Sequence, residues 1–254
     1  MITDAFSRAS EPIITEEACY GPQGHSADVC LITFSNVIYQ QILDAFPCRE
    51  LGRMRCCNGE KPIYGFTWQG LRAAFYLSGI TSALAATEAL DANWLTGAET
   101  FVAFGSAGCL DREKAGGRYV IPTAAYRDEG MSYHYAPPAD YIDLPGAALV
   151  EKVFKELKAP YAVGRVWTTD AFFRELRHQA EARKAEGCLA VDMEAAGIQS
   201  VCAFHGLRLY YFLMTGDVLD APEWDNQSLS SANHCPDHLQ IALKIAEAAL
   251  TGAC

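Results

Sequence analysis

The chain opens without the long apolar stretch that a signal segment or a membrane span requires; its first residues, MITDAFSRASEPIITEEA, carry acids instead. A cytoplasmic protein with no membrane partner is the expectation. The ten cysteines, at 19, 30, 48, 56, 57, 109, 188, 202, 235 and 254, lack any paired spacing, which excludes a disulfide framework. Several sit in apolar runs such as VCLITF, and the cysteines read as buried free thiols in a reducing compartment. Basic residues are scarce, 20 Lys and Arg against 31 Asp and Glu, for a net charge of -11. That balance repels phosphate backbones and excludes a nucleic-acid partner. Internal repeats and low-complexity tracts are also absent.

What is present is hydrophobic and orderly. A chain of 254 residues that is 50% hydrophobic can bury one sizeable core. One domain over 1–254 is expected, with residues 1–20 as a peripheral N-terminal segment. Three apolar runs each end abruptly in small or polar residues: AAFYLSGITS (73–82), FVAFGSAG (101–108) and LYYFLMTGD (209–217). Runs of this kind read as buried parallel strands. The Ala- and Leu-rich segment SALAATEALDANWLTGA, closed by Gly97, lies between the first two and completes a βαβ unit. VCLITF (29–34), GRYVIPTAAY (117–126) and AVGRVWTT (162–169) add strands. NVIYQQILDAF and residues 147–158, 171–186, 193–205 and 236–250 read as helices. The fold class is thus α/β, with ligands expected at the carboxyl ends of the strands.

Four segments at such ends can carry chemistry. In GSAG, Gly105 and Ser106 let a ligand approach the backbone and offer donors to an anion, although a tight turn explains them equally well. In VDMEAAG (191–197), Asp192 and Glu194 enter a helix. Carboxylates there have a bland reading as partners of the helix dipole. Met193 and the small residues that follow would instead let a vicinal diol, such as that of a ribose, reach an acidic point flanked by apolar atoms. Asp217 ends a buried run, where a carboxyl serves as proton donor, base-reading acceptor or simple turn. Phe172 and Phe173 can stack on a heterocycle or belong to the core. His234 and His238 lack a third partner of metal-site spacing, so no metal is expected.

GSAG (105–108), TTDAFF (168–173), VDMEAA (191–196) and TGD (215–217), in that order, form a specific combination although each is weak alone. In it the chain resembles the nucleoside phosphorylase superfamily of uridine phosphorylase, bacterial purine nucleoside phosphorylase and methylthioadenosine nucleosidase. The resemblance runs from about Val29 to the C-terminal helix, and RDEGMSYHYAPP (127–138) is most similar to the uridine-phosphorylase-like branch. It implies a single α/β domain whose twisted, mostly parallel sheet is partly barrel-like and flanked by helices. The implied reaction is attack of phosphate on C1′ through an oxocarbenium-like transition state, giving a free base and a (deoxy)ribose 1-phosphate. The resemblance implies no cofactor beyond inorganic phosphate as co-substrate. Nucleoside and phosphate are the implied small-molecule partners, in a homodimer or higher homo-oligomer with shared sites.

Carried over by position, the resemblance makes Gly105, Ser106, Phe172, Asp192, Met193 and Glu194 substrate-binding. Gly105 and Ser106 would touch phosphate, Phe172 would pack on the base, Met193 would line the sugar, and Glu194 would bind its hydroxyls. Asp217 matches the acid that serves the purine ring. The departures gather on the phosphate side. Ala103 stands where the phosphorylases carry an Arg, and after the first strand only Ser35 and Asn36 replace their Gly-Asp-Pro-x-Arg loop. Arg53 or Arg55 is the possible phosphate ligand in their stead. RELRH (174–178) lacks the Gln of uracil-reading enzymes, and Asp217 leans toward a purine. A nucleosidase of the same fold would also lack the Arg, but it would carry a Glu after the first strand, which FSNVIYQQ does not. A non-catalytic nucleoside-binding protein is a further alternative. Glu194 and Asp217 together favour an enzyme, with phosphorolysis the expected reaction.

Overall fold

The computed structural model describes residues 1–252. Ten strands form one sheet: β1 (Val29–Thr33), β2 (Arg49–Cys56), β3 (Gly59–Trp68), β4 (Leu71–Leu77), β5 (Thr100–Cys109), β6 (Tyr119–Asp128), β7 (Tyr141–Asp143), β8 (Tyr161–Thr169), β9 (Cys188–Asp192) and β10 (Arg208–Val218). The helices that cover it are α1 (Glu16–Tyr20), α2 (Asn36–Ala45), α3 (Ser82–Thr96), α4 (Arg112–Ala115), α5 (Ser132–Tyr135), α6 (Ala147–Leu157), α7 (Arg177–Ala185), α8 (Ala195–His205), α9 (Leu229–Asn233) and α10 (Asp237–Thr251).

The strand order is β10-β6-β8-β9-β5-β1-β4-β3-β2, and β10 also pairs with β5. That pairing closes β5, β9, β8, β6 and β10 into a barrel, from which β1, β4, β3 and β2 extend as an open wing. The sheet is mixed, with its longer central registers parallel as expected and antiparallel pairs added to them. Parallel pairs β1–β4, β1–β5, β5–β10, β6–β8 and β8–β9 stand beside antiparallel pairs β2–β3, β3–β4, β5–β9, β6–β7 and β6–β10. The wing supplies the simplest cause. Trp68 pairs with Leu71 across the two-residue connection Gln69-Gly70, whose φ values of 49° and 87° are those of the primed turns that tight hairpins need.

Both faces of the central strands are covered, which is why they read as unbroken apolar runs. Along β1, Val29 and Leu31 pack with α2, α6 and α10 on one side, while Cys30 and Ile32 pack with α3 and α8 on the other. The two helices of the second layer touch closely. A Cβ on Gly197 of α8 would lie 2.6 Å from the Ser82 Cβ at the start of α3, so glycine alone permits this approach.

Three local expectations change. Residues 171–186 are not one helix: a 3-10 turn over Phe172–Arg174 precedes α7, because the Arg174 amide bonds back to the Ala171 carbonyl at 2.6 Å. The helix expected from 193 begins at Ala195, with Glu194 at its N-cap position. Cys30, Cys109, Cys188 and Cys202 are buried thiols as expected, but Cys19, Cys56 and Cys57 are exposed, the last two at the β2–β3 turn; Cys254 lies outside the described residues. Among the described residues no helix is long and apolar enough to cross a membrane.

Candidate active site

The carboxyl ends of β1, β5, β8 and β9, together with the last turn of β10, surround a cavity of about 220 Å³. Gly105, Ser106, Phe172, Asp192, Met193, Glu194 and Asp217 all line it. The GSAG segment is not a loop but continues β5, in register from Gly105 opposite Leu213 to Gly108 opposite Asp217. Its glycines serve close packing: a Cβ on Gly108 would fall 2.5 Å from Leu219 and 2.9 Å from Val191.

The β9–α8 junction is built on Asp192. Its Oδ1 accepts from the Thr168 hydroxyl at 2.6 Å, and its Oδ2 accepts from the Ala195 amide at 2.7 Å, the Glu194 amide at 3.2 Å and the Tyr211 hydroxyl at 3.2 Å. Both oxygens are thus occupied by the protein. Asp192 thereby satisfies the orphan donors of the first turn of α8 and fixes its neighbour. Burial, its first cause, nevertheless raises its carboxyl above the ordinary range.

Glu194 is held differently. Only 7% exposed, it accepts the Thr81 amide on Oε1 at 2.9 Å, and the Met193 amide also favours its charged form. Thr81 reaches it with φ at +90°, a strained value for a β-branched residue. Ser82 secures the same contact by donating its hydroxyl to the Met193 carbonyl at 3.0 Å. Burial, then the charge of Asp192, pushes the Glu194 carboxyl up to about 8.

Asp217 owes its aim to a bulge. The β10–β5 register shifts between Thr215 and Asp217, so Gly216 is extra. Thr215 turns to the carbonyls of Ala115 and Arg118, while Asp217 lines the cavity and accepts the Trp224 indole N–H at 2.6 Å. Glu175 lines the same corner and makes no hydrogen bond or ion pair among the described residues. Burial, then the charge of Asp217, pushes its carboxyl up to about 7. Phe172 and Phe173 are no part of the core, being 43% and 94% exposed in edge-to-face contact at the rim. Past Asp217 a second chamber of about 300 Å³ continues between Phe173 and Trp224.

The turn after α9 also closes on the cavity. Asn233 accepts the Ser106 hydroxyl on Oδ1, and His234 Nδ1 lies 2.8 Å from Ser35 Oγ. His238, four residues on, points elsewhere. Its ring sits between Phe104, Tyr119 and Phe212, and burial pushes it down to about 4. Arg53 and Arg55 do not line the cavity of their own chain; on strand β2 they pair with Glu50 and Glu60 and with Glu60. Ala103 is fully buried in β5.

A model of the family described as "Phosphorylase superfamily" matches residues 31–251. The chain belongs to that superfamily. A purine nucleoside phosphorylase of the DeoD type from Jannaschia sp. (strain CCS1) is 29% identical over 206 residues, covering 75% of this chain and 83% of that one. Two solved structures share the fold at lower identity. AMP nucleosidase from Bacteroides thetaiotaomicron VPI-5482 has a TM-score of 0.68 at 19% identity, over 89% of this chain and 90% of its own. Futalosine hydrolase of Helicobacter pylori strain 26695 has a TM-score of 0.70 at 15% identity, over 89% and 99%. The chain is therefore a nucleoside-processing member of the superfamily. Within that frame, sequence reasoning missed Glu175, the Thr81 amide, and Asn233 with His234. An acid in RELRH directly after the aromatic pair was the available signal for Glu175, and the small-residue strand end SGITS (78–82) was the signal for Thr81; nothing local marked Asn233 and His234, which reach the site across the fold.

Proposed function

We propose that the protein cleaves the N-glycosidic bond of a purine-type nucleoside with water as the nucleophile. Charge carries this reading. Glu175, Asp192, Glu194 and Asp217 line the cavity, and among the described residues no Lys or Arg does. A phosphate dianion would meet that wall without a fixed cation, and each carboxyl that is ionised ~5 Å away opposes it by roughly 7 kcal/mol at an effective dielectric of about 20. Neutral water meets no such barrier. The Ser106 hydroxyl, expected at phosphate, is already bonded to Asn233.

The rest of the cavity suits a nucleoside. Glu194 offers its carboxylate to the ribose hydroxyls, beside the apolar Met193. Phe172 provides a face for the base, and Asp217 stands where a departing ring needs a proton. Glu175, its carboxyl raised to about 7, is poised to exchange a proton in that corner near neutral pH. The purine preference draws on Asp217 and on the name of the 29%-identical relative.

Phosphorolysis is the second reading, and one observation favours it: Arg53 and Arg55 lie on the exposed strand β2, from which a second copy of the chain could receive them. A nucleoside panel incubated with and without phosphate separates the two. Base release that ignores phosphate is the expected result; release that requires it would return phosphorolysis to first place.

A further inference from the structure

The reaction proposed above needs a base for its water, and the segment after β1 offers no acid. The turn closing the cavity offers an imidazole instead. Ser35 Oγ lies 2.8 Å from His234 Nδ1 and 3.2 Å from the Ile38 amide, which it caps. A serine hydroxyl has two lone pairs. If Oγ accepts from both the Ile38 amide and Nδ1–H, both are used and the ring is fixed with Nε2 unprotonated. His234 lines the same cavity as Glu194, with Ser35, Ser106 and Asn233 in the same lining.

We infer that His234, oriented by Ser35, is the general base that takes a proton from the attacking water. The inference rests on the hydrolytic reading. As the water oxygen bonds to C1′, one of its protons passes to His234 Nε2. The C1′–N bond breaks, its electron pair leaves with the base, and the base takes a proton from the corner held by Asp217 and Glu175. Solvent then reprotonates that corner and removes the proton from His234, so nucleoside and water become free base and free sugar.

Other titratable groups face the ring. Glu175, Asp192, Glu194 and Asp217 stand across the cavity, and Cys235 and Asp237 share its turn, with Tyr119 against Cys235. The pH profile of kcat is therefore taken at saturating nucleoside, where ribose hydroxyls hold Glu194 ionised and its titration no longer shapes the curve.

His234→Gln keeps a donor for Ser35 and cannot take a proton. In phosphate-free buffer it is expected to lower kcat about a hundredfold, the scale of a lost general base, with KM little changed and the rising acid limb of the kcat profile gone. In His234→Ala, added imidazole should restore part of the rate. Should wild type hydrolyse without phosphate while His234→Gln keeps its kcat and its limb, the role of His234 is refuted and the hydrolytic reading stands. Should wild type release base only with phosphate, the hydrolytic reading itself fails.

Discussion

Glu194 and His238 are two buried titratable residues with opposite consequences. Glu194 must be ionised to accept two ribose hydroxyls, yet burial and Asp192 hold it up to about 8 in the free protein. Nucleoside affinity, read as kcat/KM, is therefore expected to fall as pH drops below about 8, by up to tenfold per unit. Glu194→Gln should flatten that slope and lower turnover about tenfold or more, the scale of a charge-assisted hydrogen bond of roughly 1.5–3 kcal/mol; wild-type kinetics in the variant would contradict the assignment. His238 has neither ring nitrogen bonded, and its folded value lies near 4, below the ordinary 6.5. Its contribution to stability is present above 6.5 and is lost as pH falls through about 4, on the order of 3 kcal/mol. His238→Phe should keep the aromatic packing and remove that part of the acid sensitivity in denaturant titrations across this window. The place of Glu194 in the cavity was legible from VDMEAAG and its companions. Asp192 was not separated from it, because only the fold brings Thr168 and Tyr211 onto its oxygens.

Between elements, the α3–α8 contact sets the Glu194 end of the site. Gly197 allows Ser82 to approach, Ser82 holds the Met193 carbonyl, and Thr81 delivers its amide to Glu194. Gly197→Val should overpack this contact and cost about 1–3 kcal/mol of stability in chemical denaturation, with a rise in KM larger than any fall in kcat. Unchanged KM would mean that Glu194 does not depend on the α3 contact. The buried strands β1, β4, β5, β6, β8 and β10 could be read from their apolar runs, since both faces are covered. The wing strands β2 and β3 could not. REL, GRMRC and GEKPIYG alternate weakly over half-exposed positions, and the hairpin signal lay in Asn58-Gly59 and Gln69-Gly70 rather than in hydrophobicity.

For the whole molecule, a net charge of -11 and a cavity walled by carboxyls point the same way, toward a neutral nucleophile and a substrate without a free anionic group at the floor. A homo-oligomer remains our proposal, with a sedimentation mass at a multiple of 27.7 kDa as its expected sign and a stable monomer as its refutation. The measurement that bears most directly on function is the initial rate of base release from a saturating purine nucleoside as inorganic phosphate is raised from none to large excess, with the sugar product identified at each step. Water as nucleophile predicts a rate that does not climb with phosphate and a sugar released free. A rate that starts near zero and rises with phosphate, yielding the sugar 1-phosphate, would contradict it.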